Sequence, residues 1–211
     1  MLTALIDYES GNLHSALKAF EKMAAELDAG DVVVTSHPDV VARADRLVLP
    51  GDGAFPACRD SLINSAIYDA LCDAVERKAR PFMGICVGMQ LMAKEGHEYK
   101  QTPGLGWIDG AVHKIAPTNP KLKIPHMGWN NLVIDYPHPI FDGIESGDHA
   151  YFVHSYQMQV ATPEQRIAHV DYAGDITAVV ARDTMIGLQF HPEKSASQGL
   201  RIIGNFLTWR P

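Results

Sequence analysis

The chain has 211 residues, of which 46% are apolar and 20% charged, and its formal net charge is −7. That is an ordinary composition for a globular protein with a sizeable core, and without a basic stripe the sequence offers no footprint for nucleic acid or acidic membranes. Three cysteines (Cys58, Cys72 and Cys86) form no disulfide framework.

The first residues meet Asp7 with no basic run before it, and no apolar stretch reaches membrane-spanning length. The expectation is a cytoplasmic chain forming one domain over residues 1–211.

In chain order, Leu2–Ile6 reads as a buried strand, and Gly11-Asn12 as the turn before an amphipathic helix. That helix carries Leu13, Ala16, Leu17, Phe20, Met23 and Leu27 at close to a 3.6 period. Val32–Thr35, Arg46–Leu49 and Pro81–Ile85 read as further strands. Before the last of these comes a helix with Ile67, Leu71, Ala74 and Val75 on one face. Strand–helix–strand alternation predicts a mostly parallel sheet with helices on both sides. The second half changes to strands over Trp107–Ile115, Asn131–Ile134, Tyr151–Val160, Arg166–Tyr172 and Ile176–Phe190, the last folded at Arg182-Asp183-Thr184. A final helix runs over Gln198–Trp209. The predicted fold is α/β: a doubly wound, mostly parallel sheet flanked by helices, with an added antiparallel section.

Gly84-Ile85-Cys86-Val87-Gly88 lies between a predicted strand and a predicted helix over Met89–Lys94. This is the context of a nucleophile elbow, in which a strained turn lifts the side chain above the sheet. A Cβ at either glycine would crowd that turn. The helix start aims free N–H groups at the sulfur, which favours a thiolate, and the Val87 N–H can face a developing oxyanion. Taken alone, Cys86 balances evenly between nucleophile and buried structural cysteine. Cys58 and Cys72 read as structural.

Phe190-His191-Pro192-Glu193 supplies a base with an orienting carboxylate. Proline pushes His191 to an extended conformation, and residues i and i+2 of an extended chain share a side. Glu193 can then accept from one ring nitrogen while the other faces a thiol. A surface His–Glu pair at a strand end is an equal reading of these four residues alone. No metal-ligand spacing occurs, so neither a metal nor a cofactor is expected.

Three segments together, Pro50-Gly51-Asp52-Gly53, Gly84-x-Cys86-x-Gly88-x-Gln90 and His191-Pro192-Glu193, resemble the signatures of class I (triad) glutamine amidotransferases in order and spacing. Further segments are similar to the glutaminase subunit of imidazole glycerol phosphate synthase, the HisH type. They are Asp7-Tyr8 with Gly11-Asn12-Leu13, His126-Met127-Gly128-Trp129-Asn130, Tyr151-Phe152-Val153-His154-Ser155-Tyr156, and Gln189 to Ser195.

The resemblance implies catalytic roles for Cys86, His191 and Glu193. It implies oxyanion and substrate contacts at Gly51, Asp52, Gly53, Val87, Gln90, His154, Ser155 and Tyr156. It also implies L-glutamine as substrate and ammonia passed to a separate cyclase subunit, a (β/α)8 barrel, in a heterodimer of histidine biosynthesis. Asn12, Trp129 and Lys194 are the expected partner-facing residues. Two positions depart from the pattern: Asp52, where a small apolar residue is common, and Glu9, where glycine is. The Asp52 carboxylate is expected to face solvent. Two alternatives stand beside this reading. One is the glutaminase of another pathway (anthranilate, aminodeoxychorismate or pyridoxal phosphate synthesis), told apart by which synthase accepts its ammonia. The other is a catalytically dead regulatory subunit, told apart by failure of Cys86 to react with a glutamine-analogue alkylator.

Overall fold

The structure, a computed structural model, describes residues 1–10 and 13–211. The expected turn at Gly11-Asn12 lies outside the described residues. The first half alternates strand and helix: β1 (Leu2–Ile6), α1 (Leu13–Glu26), β2 (Asp31–Thr35), α2 (Pro38–Arg43), a short helix that the periodicity did not predict, and β3 (Arg46–Gly51). Then come α3 (Phe55–Asn64), α4 (Tyr68–Cys72) with a wide turn over Asp73–Arg77, β4 (Phe82–Cys86) and α5 (Val87–Gln90). The strands of the second half are β5 (Ala93–Gly96), β6 (Thr102–Pro103), β7 (Ile108–Lys114), β8 (His126–Asn131), β9 (Val133–Ile134), β10 (His149–His154), β11 (Tyr156–Val160), β12 (Arg166–Asp171), β13 (Asp175–Arg182) and β14 (Met185–Leu188). The last helix is α6 (Ala196–Thr208).

The main sheet has the order β2-β1-β3-β4-β14-β13-β12-β9. From β2 to β14 all neighbours are parallel; β13, β12 and β9 add the antiparallel section. Every residue of β3, β4 and β14 is buried, as expected for strands covered on both faces. On one face α1 packs against α6, with Phe20 and Phe206 edge to face at 6.4 Å. Two small sheets flank the main one: a β10–β8 ribbon, and β11-β7-β5-β6.

Four expectations need correction. Helix α3 was not anticipated, because Phe55-Pro56 after Gly53 reads locally as loop. The helix predicted over Met89–Lys94 is a single turn, Val87–Gln90, and the chain is already in β5 at Ala93. The strand predicted over Tyr151–Val160 is two, broken at Ser155: β10 pairs with β8 and β11 with β7, in different sheets. The segment Asn131–Ile134 is the end of β8 and all of β9, and β8 itself starts at His126.

The carboxyl ends of β3, β4 and β14 lie side by side, with Gly51 opposite Cys86 and Leu188 opposite Ile85. In an open α/β sheet that edge is where sites form. It is held by very close backbone packing. A Cβ on Gly88 would land on the Leu49 carbonyl oxygen, and one on Gly84 would lie 2.6 Å from the Gly88 carbonyl oxygen. Gly88→Ala is therefore expected to cost about 3 kcal/mol through overpacking, read as a lower urea midpoint; an unchanged midpoint would show that the edge can yield.

Candidate active site

Cys86 ends β4 with φ 54° and ψ −112°, a conformation that L residues rarely adopt, and is 5% exposed. Such a turn costs of order 1–3 kcal/mol and persists only where packing enforces it. Here Gly84 and Gly88 permit the approach that does so. The helix that follows is four residues long, and Cys86, its N-cap residue, makes no side-chain hydrogen bond to its N–H groups, so the field at the sulfur is that of one turn rather than a full macrodipole. Val87 lines the cavity in front of Cys86.

His191 is backbone-extended, with φ −94° and ψ 100°. Past it the chain does not continue as a strand: Pro192–Lys194 form a 3-10 turn, for which proline is suited at the first position. The turn still brings Glu193 back, and its Oε1 lies 2.9 Å from His191 Nδ1. The Glu193 side chain is 4% exposed, and its Oε2 has no hydrogen-bond partner among the described residues. Beneath the turn the buried Ser195 hydroxyl donates to the His191 carbonyl at 2.7 Å and accepts from the Tyr151 N–H at 2.9 Å. The His191 N–H donates to the Tyr151 carbonyl at 3.0 Å. Burial alone would lower the imidazole pKa. The Cys86 sulfur and the Glu193 carboxylate outweigh it, and the net direction is upward. The arrangement favours the charged form of the His191 imidazole, set between the Cys86 sulfur and the Glu193 carboxyl group.

A cavity of about 230 Å³ opens in front of the sulfur, lined by Asp52, Gly53, Cys86, Val87, Gln90, Glu98, Pro125, Val153, His154, Ser155 and Tyr156. It is smaller than the cavities of about 300 Å³ or more that take drug-sized ligands, and its scale suits an amino acid. A larger hollow, about 430 Å³ beside Asp135 and Arg166, is lined by no cysteine. Gly51 is buried behind the cavity rather than lining it. The Asp52 residue is exposed, with its carbonyl held by the Ser10 hydroxyl at 3.0 Å and approached by the Cys58 thiol at 3.6 Å. Because the peptide is planar and trans, the Gly53 N–H points away from that clamp. Glu9 sits at φ 65°, the left-handed turn that its glycine-like position demands.

Three residues at the site were not anticipated. Gln189 is fully buried; its Nε2 donates to Cys86 Sγ at 3.8 Å and its Oε1 accepts from Gln90 Nε2 at 3.1 Å. Its position two residues before His191 was the available signal, because such pairs share a side. Glu98 reaches the cavity from the loop after β5, with Oε2 accepting from the Phe55 N–H at 2.7 Å; no local pattern marks it. Ser10 joins through the clamp. Cys58 is structural in that its buried thiol supports the Gly51–Gly53 loop, and Cys72 lies away from the site in α4. Trp129 is 53% exposed and Lys194 is exposed, whereas Asn12 lies outside the described residues. Among the described residues no helix is long and apolar enough to cross a membrane.

Comparison with known proteins adds the following. The glutamine amidotransferase class-I family model matches residues 4–209. Imidazole glycerol phosphate synthase subunit HisH of Ruegeria pomeroyi is 69% identical, with all of both chains covered, and that of Cereibacter sphaeroides is 63% identical, also over both chains in full. A crystal structure of a glutamine amidotransferase shares the fold with a TM-score of 0.73 at 18% identity, covering 97% of this chain and 96% of that one.

A pH signature follows from the Cys86–His191–Glu193 geometry. A raised His191 pKa means that the folded state gains stability from this pair below about 6.5, the ordinary histidine value, and loses it as pH rises toward the elevated value, about 10. Imidazole NMR should find His191 protonated at pH 7.5, and Cys86→Ser should shift its titration down by about one unit or more as the negative partner disappears. A neutral His191 at pH 7.5 in the unmodified chain would contradict the pairing.

Proposed function

The chain belongs to the class I glutamine amidotransferase family, and on that premise we propose that Cys86, His191 and Glu193 are its catalytic triad. The protein is the glutamine amidotransferase subunit of imidazole glycerol phosphate synthase, a glutaminase of histidine biosynthesis that works with a cyclase subunit. One observation carries the triad: a strained cysteine at the sheet edge interacts with an imidazole that is itself held 2.9 Å from a buried carboxylate.

The Cys86 thiolate attacks the side-chain amide carbon of glutamine, and the carbonyl π electrons move to oxygen. The Val87 N–H and one N–H of the Gly51–Gly53 loop hold that oxyanion; Asp52 contributes only backbone. The oxyanion collapses, the C–N bond breaks, and the His191 imidazolium gives its proton to the nitrogen, releasing ammonia and leaving a thioester. Water then gives a proton to His191 as it adds to the thioester carbon, and expulsion of the thiolate yields glutamate. Glu193 fixes the His191 tautomer and balances its charge. Gln189 donates to the sulfur and so steadies its anionic form.

At the far end of the cavity both N–H groups of Gln90 are engaged, by Tyr156 O and Gln189 Oε1, so its carbonyl oxygen is what it offers a ligand. Glu98 supplies a negative charge for the α-ammonium group, and the backbone of His154, Ser155 and Tyr156 forms the opposite wall. Residues 1–211 act as a single glutamine amidotransferase type 1 domain, supported by one continuous core and by the family match over 4–209. The partner is a (β/α)8 barrel in a heterodimer. It docks on the face carrying Trp129 and Lys194, whose exposure supports that placement, with Asn12 assigned to the same face from its sequence motif alone. The reaction runs in the cytoplasm.

A glutaminase assay with and without the cyclase subunit tests the reading. The expected result is partner-stimulated ammonia release that Cys86→Ser abolishes, and that Glu193→Gln lowers by up to about 10⁴-fold in kcat. Turnover indifferent to the cyclase would overturn the subunit assignment; turnover surviving in Cys86→Ser would overturn the nucleophile. Trp129→Ala should weaken cyclase affinity while leaving the fold intact; unchanged affinity would remove Trp129 from the interface.

A further inference from the structure

One side of the cavity is built from outside the triad by a chain of hydrogen bonds whose direction is fixed at every link. It begins at Asn130 in β8. The Asn130 side-chain oxygen accepts from the Asn131 N–H at 2.8 Å, so the amide orientation is settled. Its nitrogen then donates both protons, one to the Asp171 carbonyl at 3.0 Å and one to His126 Nε2 at 3.2 Å. His126 Nε2 is therefore an acceptor, which puts the ring proton of a neutral imidazole on Nδ1. That Nδ1–H faces His154 Nε2 at 2.9 Å, which must in turn accept. His154 then carries its proton on Nδ1 and donates to the Tyr156 carbonyl at 2.8 Å. The same carbonyl accepts from Gln90 Nε2 at 3.1 Å, and Gln90 continues through Gln189 to the Cys86 sulfur.

Both imidazoles are buried, and His126 is stacked on Phe152 at 4.9 Å and tilted against Tyr172 at 4.2 Å. A second proton on either ring would set N–H against N–H, at Asn130 or at His126. Burial agrees with this. It lowers the His126 pKa to about 4 and is the main cause lowering that of His154 to about 3, where the nearby His126 and His191 act in the same direction.

We propose that His126 and Asn130 are positioning residues of the glutamine cavity: they lock His154 in its Nδ1–H tautomer, and so hold the Tyr156 carbonyl and Gln90 in the orientation that binds glutamine. The proposal rests on the reading that this cavity takes glutamine. It adds that the cavity wall is set from β8, the strand that also presents Met127 at 61% and Trp129 at 53% exposure on its other side. A shift of that strand is transmitted to the substrate wall through the two imidazoles rather than through the triad.

The first test needs no variant. Long-range ¹⁵N–¹H spectra of the full chain should show both His126 and His154 as neutral Nδ1–H tautomers at pH 7; an Nε2–H tautomer at either ring overturns the chain. The second uses the complex with its cyclase. His126→Leu removes the donor to His154 and should raise KM for glutamine about tenfold with little change in kcat, the pattern of lost uniform binding. His126→Asn places an amide N–H where Nδ1–H was and should recover most of that loss. Asn130→Ala, at a partly exposed position, frees the His126 tautomer and should raise KM in the same sense. It serves in place of His126→Leu if that variant does not fold. Unchanged KM in Asn130→Ala, or an asparagine variant no better than the leucine one, overturns the positioning role. Absence of glutaminase activity in the unmodified complex would instead overturn the functional reading, and the tautomer measurement would still decide the chain.

Discussion

The site depends on one backbone constraint, the turn at Cys86 with φ 54°. Left to itself a cysteine in that conformation would relax toward a lower-energy well, because its Cβ crowds the following peptide. It stays because β3, β4 and β14 are packed with all residues buried on either side of it. The turn from β4 into α5 passes through a gap that only glycine backbone fits, at Gly84 in β4 and Gly88 in α5. The strain at the sulfur is thus offset by burial in three strands. Softening that packing would release Cys86 first.

Around this fixed point the other groups arrive by different routes. His191 and Glu193 come from the turn after β14 and are held from below by Ser195 and Tyr151. Gln90 comes one helical turn after the sulfur, and Gln189 closes the loop between them. The result is a set of polar groups that are buried and yet almost fully paired with one another. Interiors tolerate polar networks on that condition, and the same condition keeps such a network rigid. A ligand entering the cavity therefore meets groups already oriented, so less of its binding energy is lost to ordering them.

The sequence made the sheet and the Cys86, His191 and Glu193 cluster legible because both are written in local pattern. The first four parallel strands are continuous apolar runs, and the elbow and the His-Pro-Glu turn each lie within five residues. What it hid is non-local. Nothing in Tyr151–Val160 announces that the chain changes sheets at Ser155, since alternation is the same in both halves; only the separate partners β8 and β7 divide it. The helix after Cys86 was expected to be longer because Leu91 and Met92 suit a helix, but pairing of Ala93 with Ile108 in β7 takes those residues away. Glu98, Ser10 and the two-histidine chain are set by contacts 28 to 48 residues apart in sequence, which no spacing rule reports. Gln189 is the intermediate case: it lies two residues before His191 in the motif, and only the placement of its partners Gln90 and Cys86 shows its contacts.

The most direct measurement of the central claim is acid-quench peptide mapping of the complex during glutamine turnover. If Cys86 is the nucleophile held by this turn, a γ-glutamyl thioester accumulates on the peptide containing Cys86 and on neither Cys58 nor Cys72. It should disappear when glutamine is exhausted. Sustained ammonia release with no acyl adduct on Cys86, or an adduct on another residue, would contradict the account.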